Sequence, residues 1–377
     1  MKKAIIIPDS FKGTLSSIQI CAIVSECIRR VFPGCEVLEM PVADGGEGSV
    51  DAFLFAVGGE RVHVEAAGPW FERRQSYYGL LTGDTAVIEM ASAAGLPLAG
   101  ARLDPERTTT YGVGELLLDA VHRGAKQVIV GLGGSATNDA GCGAAAAAGV
   151  RFYNASGISF IPTGSTLCEI EHIDLTGLDS YVGRCSISAI CDIDNPMYGL
   201  SGAAHVFGPQ KGADPAMVER LDTGLRHLAH VIFQELGIDV SALPGAGAAG
   251  GMGAGMVAFF GAKLKPGIDT VLDVVGFDKA ASDADVVFTG EGKLDSQSLR
   301  GKVVIGVARS AARLGKPVIA IVGGADYGAE AAYDEGVSAI FPINRLPQDF
   351  SLLKEHSAEN LAFTVENVLR CLKAAGM

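Results

Sequence analysis

Short uninterrupted apolar runs alternate along this chain with stretches whose apolar residues recur every three or four positions. Ala4–Ile7 is the first run. Ser16-Ser17-Ile18-Gln19 then fits a capping box, in which a serine hydroxyl and a glutamine amide satisfy the free amides of a helix start. Ile20, Ile23, Val24, Cys27, Ile28 and Val31 follow on one helical face, and Pro33-Gly34 stops the helix. A second run, Val37–Ala43, leads directly into Asp44-Gly45-Gly46-Glu47-Gly48. The same grammar recurs at Gln127–Val130, Ser186–Cys191, Asp285–Thr289 and Pro317–Val322, each ending in a loop rich in glycine or acids. A final helix is predicted over Ser351–Ala375. Strands apolar on both faces and alternating with helices predict an α/β fold with mainly parallel sheets. In such sheets ligands bind at the carboxyl ends of the strands, where these loops fall.

Composition sharpens this picture. The 377 residues are 48% apolar with a mean hydropathy of +0.30, enough for a real core and for about two domains. Glycine is the outlier, at 50 residues against the roughly 26 that average usage gives. Twenty of the 50 lie in segments 44–48, 131–143, 245–255, 290–301 and 323–328, which read as anion-cradling turns after strands. The net charge of −13 repels phosphate backbones and anionic lipid, so neither nucleic acid nor a membrane surface is an expected partner. The eight cysteines include no C-x-x-C pair and several sit in apolar runs, which suits a reducing cytoplasm. The apolar run after Met1-Lys2-Lys3 ends at Pro8-Asp9, too short for a signal peptide. Val240–Ala262 carries no charge but holds seven glycines and a proline, and reads as a glycine-dense loop entering a buried helix.

Several loops offer chemistry. Gly131-Leu132-Gly133-Gly134-Ser135-Ala136 fits G-x-G-x-x-G/A after a strand, a turn that aims backbone amides and a helix N-terminus at an anion. The ribose-binding acid of a dinucleotide site is missing at the expected distance. The Walker A glycine that would precede Gly301-Lys302 is replaced by Ser296, and no kinase catalytic loop or G-x-S-x-G elbow is present. Asp44, Glu47, Asp139, Asp192, Asp194, Glu291 and Asp295 sit at loop tips, where hard oxygen ligands suit Mg²⁺ beside a phosphorylated ligand. The histidine pairs His227-x-x-His230 and Glu169-x-x-His172 lack the partners of a metal motif. Residue chemistry alone thus reaches an enzyme for a small anionic ligand, with the reaction open.

At these loops the chain resembles the bacterial type I glycerate kinases. The resemblance rests on Pro8-Asp9-Ser10-Phe11-Lys12-Gly13, Pro41-Val42-Ala43-Asp44-Gly45-Gly46-Glu47-Gly48, Gly133-Gly134-Ser135-Ala136-Thr137-Asn138-Asp139 and Cys191-Asp192-Ile193-Asp194-Asn195-Pro196. It continues in Phe207-Gly208-Pro209-Gln210-Lys211-Gly212-Ala213, the glycine-rich stretch Pro244–Gly253 and Thr289-Gly290-Glu291-Gly292-Lys293-Leu294-Asp295-Ser296-Gln297-Ser298. The chain departs from the frequent pattern at Ala140, Cys142, Lys293 and Leu200-Ser201. The resemblance implies transfer of the ATP γ-phosphoryl group to D-glycerate, giving 2-phosphoglycerate. It also implies two α/β domains, Rossmann-like and flavodoxin-like, one inserted into the other, with the active site in the interdomain cleft. Residues 1–80 plus 285–377 would form the discontinuous Rossmann-like domain and 81–284 the inserted one. A cytoplasmic monomer or homodimer is expected.

Phosphoryl transfer needs anion cradles, a metal, a cation and a base near the attacking hydroxyl. Asp192 ends a buried strand and heads an Asp-x-Asp-Asn loop, so it is the expected base or, with Asp194, the Mg²⁺ ligand. Asp295, with Asp44, competes for that role, and Lys293 joins Asp192 and Asp295 as a catalytic candidate. Gly133, Gly134, Ser135 and Asn138 should cradle a carboxylate or phosphate. Ser10, Lys12, Asp44, Gly45, Gly46, Asp139, Glu291, Ser298 and Lys302 complete the expected substrate and phosphate contacts. The other readings are 3-hydroxyl attack, a related small hydroxy acid as substrate, an NAD-dependent hydroxy-acid oxidoreductase, and a non-catalytic ligand-binding protein.

Overall fold

The computed structural model describes residues 1–377 except Asp44, Gly45, Glu47, Gln297, Pro347, Gln348 and the Arg300 side chain. The principal elements, in chain order, begin with β1 Lys3–Pro8, α1 Ser17–Val31, β2 Glu36–Glu39 and α2 Ser49–Val57. Next come β3 Gly59–Ala67, β4 Arg73–Leu81, β5 Thr85–Glu89, α3 Tyr111–His122, β6 Gln127–Gly131 and α4 Cys142–Ala147. Then follow β7 Ser186–Ile190, α5 Pro215–Leu236, α6 Ala248–Phe260 and β8 Lys263–Lys265. The chain closes with α7 Gly267–Val275, β9 Val286–Gly290, α8 Val303–Arg313, β10 Val318–Val322, β11 Ala339–Pro342 and α9 Ser357–Ala374.

Two compact units divide these elements. One comprises residues 1–44, 51–58 and 266–377, and the other 45–50 and 59–265. The observed division therefore falls near 58 and 265, where 80 and 284 were expected. The reason is pairing. β3 hydrogen-bonds along its length with β4, and β4 with β5, so residues 59–81 belong to the sheet of β5. At the other end, Ile268 of α7 packs against Gly306 of α8, which draws the segment before β9 into the discontinuous unit.

The discontinuous unit holds a five-stranded, wholly parallel sheet in the order β11-β10-β9-β1-β2. Counted within the unit this is the 2-1-3-4-5 order of flavodoxin-like folds, with its switch point between β1 and β9. A Rossmann-like order was expected for these residues. The difference arises because β1 is flanked by β2 on one side and by β9, from the far end of the chain, on the other. Ala4, Ile5, Ile6 and Ile7 of β1 and all of β9 and β10 are buried, as strands covered on both faces require. α1 starts at the expected capping box: Ser16 Oγ accepts from Gln19 N–H at 3.2 Å and Gln19 Oε1 from Ser16 N–H at 2.9 Å. Its buried stripe of Ile20, Val24, Cys27, Ile28 and Val31 joins a core with β1 and with Leu361, Val365, Val368 and Leu369 of α9.

The second unit holds a six-stranded sheet, β8-β7-β6-β5-β4-β3. β5 to β8 are parallel, and β3 and β4 form an antiparallel margin. The expected glycine-dense entry into a buried helix is α6. Ala249, Gly250 and Gly251 have left-handed φ angles of 54°, 68° and 88° before regular helix begins. No helix among the described residues is long and apolar enough to cross a membrane.

Candidate active site

In the second unit, the loop leaving β6 carries most of the buried polar chemistry. Leu132 N–H donates to Ile190 O (3.1 Å) and Leu96 N–H to Gly134 O (2.8 Å), which ties this loop to the ends of neighbouring strands. Gly134 has φ +75° and Ser135 pairs across to Gly95. Thr137, Asn138 and Asp139 are fully buried. Among the described residues neither end of the Asn138 amide, nor Thr137 Oγ1, has a hydrogen-bond partner. Buried polar atoms without partners are unusual in a finished fold, so these two side chains mark the loop as the unit's candidate ligand site.

Asp139 is differently placed. Its carboxylate accepts from Thr110 N–H (2.7 Å), Thr110 Oγ1 (2.8 Å), Gly143 N–H (3.3 Å) and Gly141 N–H (3.2 Å). The loop does not run straight from Ala136 into a helix, since α4 begins at Cys142. The amides at the entry to that helix are taken by Asp139, so the anion at this N-terminus belongs to the protein itself. Burial pushes the Asp139 carboxyl up, against the pull of its four hydrogen bonds.

Lys211 is the residue here that sequence reasoning missed. Its side chain is 2% exposed, and Nζ donates to Ser135 Oγ at 2.8 Å and to Thr137 O at 2.7 Å. Burial lowers its pKa to about 7 although Asp139 pulls the other way. The one signal was its place in the Phe207–Ala213 stretch. Glu89, at the carboxyl end of β5, was missed as well. It is buried and its Oε1 accepts from Val50 N–H at 2.6 Å, in the first turn of α2. Nothing in its apolar run set it apart.

Asp192 lies just past β7 and is half-buried, whereas Asp194 is exposed. Asn195 Nδ2 donates to Ser201 O (2.7 Å), and Gly247 N–H donates to Asn195 O (3.0 Å). The glycine-rich stretch closes against this loop and the previous one. A Cβ on Gly247 would fall 2.3 Å from Pro196 O, one on Gly250 2.0 Å from Thr137 O, and one on Gly255 2.0 Å from Ala140 O. These glycines permit backbone to meet backbone. They account for part of the glycine excess by packing, a role different from the expected anion-cradling turns. Among the described residues no cluster of three or more His, Cys, Asp or Glu side chains stands ready for a metal.

In the discontinuous unit the loops after β1 and β9 meet at the switch point. Asp9 N–H donates to Gly290 O at 2.8 Å, Asp9 is buried, and Ser10 N–H donates to Asp9 Oδ1 at 2.7 Å. A Cβ on Gly292 would sit 3.3 Å from Lys12 N. Glu291 is 5% exposed and its Oε1 has no partner among the described residues. Burial raises its pKa to about 7. The Ser298 hydrogen bond and the Lys302 charge lower it, while Asp9 and Asp295 add to the rise. Asp295 and Ser298 hold each other: Ser298 N–H donates to Asp295 Oδ1 (3.2 Å) and Asp295 N–H to Ser298 Oγ (3.1 Å). Lys302 precedes α8 and is half-buried. Lys12 is exposed. Lys293 is exposed too and its Nζ pairs with Asp326 Oδ2 at 2.7 Å. In the second unit, Gly46 O accepts from Ser49 Oγ at 2.7 Å. Asp44 and Gly45 lie outside the described residues.

A carboxyl whose pKa rises from 4.5 to about 7 on folding holds its proton more tightly in the native state than in the unfolded chain. Its contribution to stability is therefore full at low pH, falls as pH rises through that interval, and is lost above about 7. Glu291→Gln does not titrate. The Tm of the variant relative to the wild type is expected to increase between about pH 5 and about pH 8. A Tm difference that stays constant across that range would contradict the burial of an ionisable group here.

Buried strands that end in polar loops, with an amide at one end and a carboxyl oxygen at another that have no partner among the described residues, define an α/β enzyme for a small anionic ligand. Comparison with known proteins gives the particular kind: the chain belongs to the glycerate kinase family, whose family model matches residues 4–373. It is 43% identical over 375 residues to a glycerate kinase of Bacillus cereus, covering 99% of this chain and 98% of that one. It is 43% identical over 343 residues to a protein of Escherichia coli K12 named glycerate 2-kinase, covering 90% of each. Among solved structures, a candidate glycerate kinase 2 from Salmonella typhimurium LT2 superposes with a TM-score of 0.89 at 43% identity, over 99% of both chains. Membership of a kinase family implies ATP as the phosphoryl donor.

Proposed function

We propose that this chain transfers the γ-phosphoryl group of ATP to the 2-hydroxyl of D-glycerate, giving 2-phosphoglycerate and ADP in the cytoplasm. The observation that carries this reading is the 43% identity over 90% of the chain to the E. coli protein named glycerate 2-kinase. In the step proposed, the substrate hydroxyl oxygen forms a bond to the γ-phosphorus. The bond from that phosphorus to the ADP oxygen breaks, and the hydroxyl proton passes to a base.

The loop after β6 binds the glycerate carboxylate, with Ser135 and the Asn138 amide as its polar contacts. Asp192 either takes the hydroxyl proton or acts with Asp194 as a metal ligand. Two hard carboxylates on one loop suit Mg²⁺, which takes its remaining ligands from water and nucleotide phosphates. When bound, Mg²⁺ neutralises charge on the phosphoryl group being transferred. At the β1/β9 switch point, Lys302, Ser298 and Glu291 bind a phosphate, with Lys12 and Lys293 as surrounding positive charge. Glu291 carrying its proton offers a donor there without adding a negative charge.

The test is ADP release from ATP, Mg²⁺ and D-glycerate, followed by proton-coupled phosphorus NMR of the product. Phosphorus on the 2-oxygen sees a single carbon-bound proton and gives a doublet, and on the 3-oxygen a methylene pair and a triplet. A triplet overturns the regiochemistry. No glycerate-dependent ADP overturns the reading as a whole.

A further inference from the structure

Lys211 is a basic side chain buried to 2% exposure, against a loop that the reading above assigns to the substrate carboxylate. We propose that Lys211 is a positioning residue, which fixes the Ser135 hydroxyl as a hydrogen-bond donor aimed at the carboxylate of the hydroxy acid. The proposal rests on the assignment of the loop after β6 to that substrate.

The chemistry of the two groups sets the direction. A lysine ammonium only donates, so at 2.8 Å Ser135 Oγ is the acceptor. A hydroxyl has one proton of its own to donate. With its lone pair engaged by Lys211, that proton points away from the ammonium. The second donation, from Nζ to Thr137 O at 2.7 Å, clamps the loop two residues further on, so ammonium, hydroxyl and loop backbone are held as one piece. Ser135 keeps 8% of its surface exposed while Lys211 keeps 2%. The serine is thus the member of the pair that can meet a ligand.

An independent observation points to a ligand at the same loop. The Asn138 side chain is fully buried and has no hydrogen-bond partner at either end among the described residues, and Thr137 Oγ1 has none. A loop that exists only to pack does not leave an amide and a hydroxyl unmatched beside a buried cation. Asp139 is the charged group facing Lys211, and its own oxygens are committed to Thr110, Gly141 and Gly143. The burial that lowers the lysine pKa to about 7 is a cost of the kind found at functional sites.

The experiment is a steady-state double-mutant cycle on the full chain, with Lys211→Met, Ser135→Ala and both together, varying D-glycerate and ATP separately. Each single variant is expected to raise the KM for D-glycerate by about 10- to 100-fold, the range for losing a hydrogen bond to a charged group. The fall in kcat is expected to be smaller and the KM for ATP to hold. Because Lys211 acts through Ser135, the double variant should match Ser135→Ala alone. Multiplying effects, an unchanged KM for D-glycerate, or a rise in the KM for ATP instead would overturn the proposal. Lys211→Gln, which keeps a donor, is measured in parallel, and thermal denaturation without ligand reports folding. Failure of both lysine variants to fold assigns Lys211 to stability and also overturns it. Absence of glycerate-dependent ADP release by the wild type is a different result, and it sinks the proposed function instead.

Discussion

Asp192→Asn is expected to lower kcat by about 10²- to 10⁴-fold, the loss typical of a general base or a metal-binding carboxylate, in a protein that folds as the wild type does. Of its two competitors, Asp44 lies outside the described residues and Asp295 is less well placed. Asp295 exchanges reciprocal hydrogen bonds with Ser298, the pattern of a turn-capping pair. Asp192 stands directly beyond β7, half-buried, on the loop whose Asn195 and Pro196 are gripped by Gly247. Titration with Mg²⁺ separates its two possible tasks. Loss of a base leaves the Mg²⁺ concentration for half-maximal rate where it was, whereas loss of a ligand moves it upward. Turnover near that of the wild type with intact folding would remove Asp192 from the chemistry altogether.

Elements buried on both faces were the legible part of this fold. β1, β6, β7, β9 and β10 are short apolar runs, and each was readable to within a residue or so because no other structure hides Ile5-Ile6-Ile7 or Val318–Val322 as well. The capping box at Ser16 was readable because it is purely local. The margin strands β3 and β4 were not anticipated. Each pairs antiparallel with a chain neighbour and one face is open, so they show alternation, as in Val62 buried between exposed Arg61 and exposed His63, and no continuous apolar run. The candidate site divides along the same line. Loops that follow apolar runs, such as 131–139 and 290–298, were found from position. Lys211 was invisible as a site residue because its partners, Ser135 and Thr137, are more than seventy positions away. Asp139 was found but given a ligand's neighbourhood. Only the three-dimensional arrangement shows Thr110, Gly141 and Gly143 converging on it.

That convergence makes Asp139→Ala the substitution with the largest expected effect on stability, about 3–5 kcal/mol, the range for removing one member of a buried, hydrogen-bonded charge arrangement. The methyl group satisfies none of the donors, so the Thr110 amide and hydroxyl and the amides of Gly141 and Gly143 are all left inside a site that excludes water. Lys211 at the same time loses an opposite charge that offsets its burial. Room for compensating movement is small. A Cβ on Gly143 would lie 2.8 Å from Tyr111 N, and one on Gly255 2.0 Å from Ala140 O, so neighbouring backbones are already close on either side. Asp139→Asn keeps one acceptor oxygen but turns an amide N–H₂ toward donors, and should lose less than the alanine variant. Equilibrium urea denaturation at neutral pH measures both. An alanine variant within about 1 kcal/mol of the wild type, the level of an ordinary surface substitution or less than a single net hydrogen bond of the charged kind, would show that these four donors find partners elsewhere. Asp139 would then return to the list of groups whose carboxylate is available to a ligand.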